Sequence, residues 1–133
     1  MNGNDIDRSR IMSKIRSKNT KPELVVRKIC QDMGIRYQIH LRELPGTPDL
    51  VFKQRKICIF VNGCFWHRHP NCKYAYNPKS NLEFWDNKFK KNRQRDIDNN
   101  HKLAELGWEV VTIWECETKD PEQLTSKISK IFS

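Results

Sequence analysis

Residues 49–61 read D-L-V-F-K-Q-R-K-I-C-I-F-V. Two apolar runs, 49–52 and 56–61, are separated only by K-Q-R, a spacing that predicts an antiparallel hairpin. The second run is apolar at nearly every position, so it belongs at the centre of a sheet, covered on both faces. Upstream, I-R-Y-Q-I-H-L (35–41) alternates as a strand does, and E-L-P-G-T-P (43–48) carries turn chemistry. Downstream, residues 62–81 form a long stretch rich in Cys, His, Asn and Pro. A loop of that length in a compact domain is usually functional or stapled by a metal.

A helical pattern then runs from near Asn81 to Leu106 and stops at Gly107, before the apolar W-E-V-V-T-I-W (108–114). Strand, long helix and strand in that order imply a parallel pairing through a right-handed crossover. At the flanks, T-K-P-E (20–23) starts a helix: Thr20 caps, Pro22 suits the first turn and Glu23 completes a capping box. That helix runs through Leu24, Val25, Ile29 and Cys30 to Gly34, and Asp120-Pro121 opens a last helix, Glu122 to Phe132. The expected architecture is α/β, a mixed β-sheet flanked by helices. The 133 residues suit a single domain over 19–133, preceded by a basic arm over 1–18 that is mobile without a partner.

Lys and Arg number 25 against 16 Asp and Glu, for a net charge of +9. The excess is concentrated. Residues 8–21 carry Arg8, Arg10, Lys14, Arg16, Lys18 and Lys21 with no acid, and 88–95 carry Lys88, Lys90, Lys91, Arg93 and Arg95 with none. Such blocks suit a polyanion, most simply nucleic acid, although a solvated basic surface would look the same. Mean hydropathy is −0.81. No apolar run approaches the roughly 20 residues a membrane span needs, and residues 1–21 hold no apolar signal-peptide core. A cytoplasmic protein with no membrane role is expected.

An odd count of five cysteines argues against a disulfide framework. Cys30 and Cys58 fall in apolar patterns and are expected in the core. Cys64, Cys72 and Cys116 sit in polar, loop-edge contexts and suit zinc, with His67 or His69 as the fourth ligand. If strands 56–61 and 108–114 are parallel neighbours, Cys64 and Cys116 leave the same sheet edge and meet. Spacing does not choose between the histidines. Asp49 stands at the mouth of its strand, where a carboxylate can hold a hard cation beside a phosphate, or can merely end a turn. Trp108 and Trp114 flank a strand and are expected in the core.

Several motifs occur in order: L-P-G-T-P-D (44–49), I-F-V-N-G-C-F-W-H (59–67), N-L-E-F-W-D-N-K (81–88), N-R-Q-R-D (92–96) and G-W-E-V-V-T-I-W-E-C (107–116). Together, over roughly residues 8 to 118, the chain resembles the very short patch repair endonucleases, the DNA mismatch endonuclease family. The resemblance implies a restriction-endonuclease-like fold and magnesium-dependent nicking of one DNA strand, 5′ of the thymine in a T·G mismatch left by deaminated 5-methylcytosine. It implies Asp49 and the Val61 carbonyl as magnesium ligands, His67 as general base or acid, Asp96 as its orienting partner and Glu23 as an acid near the site. It gives the structural zinc to Cys64, His69, Cys72 and Cys116.

The same resemblance casts Phe65, Trp66 and Trp85 as a wedge entering the duplex, Met12 and Ile15 as minor-groove contacts from the arm, and Lys88, Lys91 and Arg95 as phosphate contacts. It implies a monomer on double-stranded DNA, with mismatch-repair proteins as further partners. The chain departs from the family pattern at Asn62, where relatives often carry His or Asp, and in a metal loop one residue longer than the compact version. Two other readings compete: a zinc-containing DNA-binding module without catalysis, and a zinc hydrolase with an open site on His67.

Overall fold

A computed structural model describes residues 19–133; the basic arm, with Met12 and Ile15, lies outside the described residues. The elements are α1 (Lys21–Asp32), β1 (Gln38–Ile39), β2 (Leu50–Phe52), β3 (Ile57–Asn62), α2 (Leu82–Glu105), β4 (Glu109–Trp114), a 3-10 turn (Glu115–Lys119) and α3 (Pro121–Ile131). The four strands form one sheet in the order β1-β2-β3-β4. β2 and β3 form the antiparallel hairpin, with Phe52 opposite Ile57 and Leu50 opposite Ile59. β3 and β4 run parallel from Ile57↔Glu109 to Asn62↔Trp114, so both chains leave the sheet at the same edge.

Successive strand residues point to opposite faces, and the two faces hold separate cores. Leu50, Phe52, Ile57, Ile59 and Ile113 pack with Val26, Ile29 and Cys30 of α1 and Leu124 and Ile128 of α3. On the other face Val51 and Cys58 pack with Leu103 of α2, flanked by Phe60, Trp108 and Val110. Each fully buried Leu, Ile or Phe contributes about 1.5–3 kcal/mol, so the central hairpin, covered on both sides, anchors the domain. Cys30 and Cys58 are buried in these cores, and burial pushes each thiol up to about 11.

Several local expectations are corrected. The capping box is shifted: Thr20 Oγ1 accepts from Glu23 N–H at 3.3 Å, but Glu23 reaches back to Asn19 N–H at 3.0 Å rather than to the cap residue. Leu24, expected on the helix's apolar face, is exposed. The strand expected over 35–41 pairs only at Gln38 and Ile39, because His40 takes a left-handed conformation (φ 50°) that ends the extended run. Lys56 also turns left-handed (φ 56°) and closes the hairpin loop instead of opening β3. Among the described residues β4 has a strand neighbour on one side only, and Trp108 and Trp114 are half-buried rather than core.

Candidate active site and metal centre

The shared exit of β3 and β4 builds a compact knot. Cys116 N–H donates to Cys64 Sγ at 3.4 Å, and Glu115 Oε1 accepts from Cys64 N–H at 3.3 Å. Left-handed backbone at Arg68 and Asn71 (φ 54° and 56°) folds the intervening chain back on itself. His69 Nδ1 thereby comes within 3.7 Å of Cys64 Sγ and 3.5 Å of Cys116 Sγ. Cys72 joins them, and all four ligand atoms lie within 4.8 Å of one another. A tetrahedron with roughly 2.3 Å zinc–sulfur and 2.0–2.1 Å zinc–nitrogen bonds has S···N edges of about 3.5–3.6 Å, so the spacings match. Trp114 stacks on the His69 ring at 4.2 Å and 11° and holds its plane. Burial pushes the Cys64 thiol up to about 12. At Cys72 desolvation also pushes upward, but hydrogen bonds from the Tyr74 and Ala75 backbone and from the neighbouring thiols outweigh it and lower the thiol. These four side chains could hold a metal ion.

His67 points elsewhere. Its Nδ1 lies 2.6 Å from Asp96 Oδ2, on α2. Arg68, in its left-handed conformation, separates the two histidines and sends their rings to different partners. His67 and Asp96 line a cleft of about 230 Å³ with Thr47, Asp49, Val61, Asn62, Asn92, Arg95 and Asn99. Asp49, Val61, His67 and Asp96, from three separate stretches of chain, therefore share one cavity. Gly46 makes this approach possible: a Cβ there would stand 2.9 Å from Asn99 Nδ2, and its φ of 77° already favours glycine.

Asp49 Oδ2 accepts from Val61 N–H at 2.7 Å. Burial raises its carboxyl to about 7; the Val61 N–H opposes the rise, and the charge of Glu23 and a hydrogen bond with it add to it. Glu23 is 1% exposed. Arg27 Nη1 lies 3.1 Å from its Oε2. His40 Nε2 approaches the same oxygen at 2.9 Å, but off the hydrogen-bond direction, so that buried nitrogen makes no aligned bond. Glu23, His40 and Asp49 form a second group whose ligand atoms lie within 4.8 Å of one another.

Beside the cleft stands an aromatic cluster with Phe65 as its hub. Trp66, Tyr76, Trp85 and Phe89 have ring centroids 5.1, 4.8, 5.3 and 5.2 Å from that of Phe65. Phe65, Trp66 and Trp85 are half-buried, Lys88 is half-buried, and Lys91 and Arg95 are exposed. Asn92, 5% exposed, donates through Nδ2 to the Trp66 carbonyl at 3.1 Å and ties this loop to α2. The sequence reading passed over His40, Asn92 and Arg68. Asn92 had a signal, since it stands seven residues after Trp85 and four before Asp96 on one helix face. His40 had none beyond the end of an alternating run.

A family model described as DNA mismatch endonuclease Vsr matches residues 4–73, more than half of the chain. The chain belongs to the Vsr family. The type II nicking enzyme V.XorIIP of Xanthomonas oryzae pv. oryzae is 43% identical over 92% of this chain and 89% of its own length. The DNA mismatch endonuclease Vsr of Escherichia coli is 36% identical over 90% and 76%. This Vsr-family protein is thus an endonuclease. The catalytic domain of the homing endonuclease I-Bth0305I, 23% identical, superposes with a TM-score of 0.58 over 84% of this chain and 93% of that one, a likeness of fold. Among the described residues no helix is long and apolar enough to cross a membrane.

Proposed function

We propose that this Vsr-family endonuclease nicks one strand of double-stranded DNA on the 5′ side of the thymine in a T·G mismatch, in a magnesium-dependent reaction that starts repair of deaminated 5-methylcytosine. The observation that carries this reading is the 2.6 Å contact between His67 Nδ1 and Asp96 Oδ2 inside the cleft that also holds Asp49. A carboxylate accepting from Nδ1–H leaves Nε2 as the basic nitrogen. Asp96 thus orients His67, and His67 Nε2 takes the proton from a water attacking phosphorus.

The donor set beside it fits a hard cation. Asp49 and Glu23 bring carboxylate oxygens within 4.8 Å of one another, an arrangement in which two carboxylates can share a positive ion, and magnesium favours oxygen ligands. Asp49 and the Val61 carbonyl would hold it, with Glu23 near them. When bound, magnesium supplies charge against the negative charge that develops on the phosphate. The Cys64–His69–Cys72–Cys116 set would hold zinc in a closed, four-ligand site, which suits a structural role. His67 stands outside that set, which disfavours a zinc hydrolase built on it.

In the same reading, Phe65, Trp66 and Trp85 open the mismatched step, while Lys88, Lys91 and Arg95 contact phosphates. The arm over 1–18, with Met12 and Ile15, lies in the minor groove opposite. The enzyme acts in the cytoplasm as a monomer, a state that suits an asymmetric substrate. The test is strand-resolved cleavage of duplexes carrying T·G, other mismatches or matched T·A, with and without magnesium. A nick beside the thymine in the T·G duplex alone, only with magnesium, is expected. Equal cleavage of all duplexes, or none with intact folding, would overturn the proposal.

A further inference from the structure

The Tyr76 ring packs against the half-buried Phe65. The Trp66, Trp85 and Phe89 rings meet Phe65 edge-on, at 87°, 77° and 83°. The Tyr76 ring alone lies nearer parallel, at 4.8 Å and 31°. Tyr76 is also 64% exposed, the most exposed of the large apolar and aromatic side chains among the described residues. A planar group approaching the cluster from solvent on that side meets Tyr76 before Phe65.

The backbone that carries this exposed ring is held in place. Arg68 Nη1 donates to the Tyr76 carbonyl at 3.1 Å, and its Nη2 donates to Asn77 Oδ1 at 2.9 Å. The Arg68 guanidinium itself lies over the Phe89 ring at 4.4 Å. The segment returning from Cys72 is thereby pinned to the loop that carries Phe65, and little ordering entropy remains to be lost on binding. Arg68 supplies positive charge beside the ring, and the chain as a whole carries +9. A solvent-facing ring on a held segment beside a cation is an arrangement that can stack nucleobases.

We infer that Tyr76 is a base-stacking residue that helps set mismatch specificity: its outer face receives a base loosened at the mismatched step, and its inner face passes the stack to Phe65. This rests on the reading of the aromatic cluster as the mismatch wedge. A wobble pair loosens at lower cost than a matched pair, so the contact forms preferentially on mismatched DNA.

The experiment measures magnesium-free affinity of Tyr76→Ala, Tyr76→Phe and Phe65→Ala for a T·G duplex and its matched counterpart, with 2-aminopurine reporting on stacking. Zinc content and thermal midpoint serve as folding controls. Tyr76→Ala is expected to weaken T·G binding by about 5- to 150-fold, the range given by losing one base–aromatic stack. Matched-duplex affinity should hold, and Tyr76→Phe should restore T·G binding and the 2-aminopurine quench. Unchanged T·G affinity in Tyr76→Ala, with a loss in Phe65→Ala, would overturn the role of Tyr76 and leave the wedge standing. No loss in either variant would remove the wedge as well. Equal weakening on both duplexes would make Tyr76 a general contact and overturn its part in specificity.

Discussion

The same sheet edge carries two sites of opposite character, with their histidines only two residues apart. The knot of Cys64, His69, Cys72 and Cys116 is soft, sulfur-rich and closed by four side chains. The cleft of Asp49, His67 and Asp96 is hard, oxygen-rich and open. Softness and closure suit a permanent staple; hardness and openness suit a cation and a phosphate that come and go. The contrast explains how a long loop with little core of its own can support an ordered candidate active site. Its free end is fixed by the knot, and His67 sits inside the fixed segment.

Removing metal from the knot should have the largest effect. Apparent zinc binding energies in small peptides are roughly 10 kcal/mol or more, comparable with the whole stability of a small domain. Stripping the protein with a zinc chelator, or replacing Cys116 by Ser, is expected to lower the thermal midpoint sharply and abolish both DNA binding and nicking. A stripped protein that melts at the same temperature would break the comparison by showing that the knot is no staple.

The next effect separates the two histidines. His67→Ala should reduce nicking by about 10²–10⁴-fold, the usual worth of a positioned acid–base group. Bound zinc, thermal midpoint and T·G affinity should stay as they are. Loss of zinc in this variant would mean that the two histidines exchange roles.

Asp49 gives an effect on stability that is smaller than the knot's and has a definite sign. Its carboxyl is raised from the ordinary 3.8 to about 7, first by burial and further by Glu23. A raised carboxyl favours the protonated form in the folded state. Its contribution is therefore fully present below about pH 4 and is lost as pH rises through about 7. Asp49→Asn cannot ionise, so it should raise the thermal midpoint of magnesium-free protein at about pH 8 and leave it unchanged at about pH 4, while nicking is lost. With Asp49 as the proposed magnesium ligand, protons would compete with the metal there, and the magnesium needed for half-maximal nicking by the unaltered enzyme should climb as pH drops below about 7. A variant less stable at about pH 8 would show that Asp49 is held as a favourable anion, and the cleft would then be no place of stored electrostatic strain.

Much of this contrast was legible in the sequence because it depends on local pattern and parallel pairing. The apolar run 56–61 and the strand 108–114 placed Cys64 and Cys116 at one edge, and the structure joins them at 3.4 Å. What escaped depends on single backbone conformations and on packing across elements. The left-handed Arg68 decides which histidine faces the thiols, and no spacing rule encodes it. His40 meets Glu23 only because the edge strand breaks at its own positive φ. Tyr76 reads as one more loop residue until Arg68 lays it on Phe65. Trp114 is half-buried on β4, which among the described residues stands at the sheet edge, a position that a strand's own composition does not reveal.

The smallest effect tests whether the aromatic cluster and the cleft are one machine. Asn92 stands four residues before Asp96 on α2, and its buried amide donates to the Trp66 carbonyl next to His67. Asn92→Asp keeps the shape but sets a carboxylate oxygen against that carbonyl. Leaving such buried groups unpaired costs about 1–3 kcal/mol, which should appear as a modest drop in thermal midpoint. Because the bond fixes Trp66, between the proposed wedge residue Phe65 and the proposed base His67, T·G affinity and nicking should decline together. If only stability falls, the loop is rigid without Asn92, and knot and hub alone position His67. If nicking falls while affinity holds, α2 serves the cleft and not the wedge, and the two halves of the loop act independently.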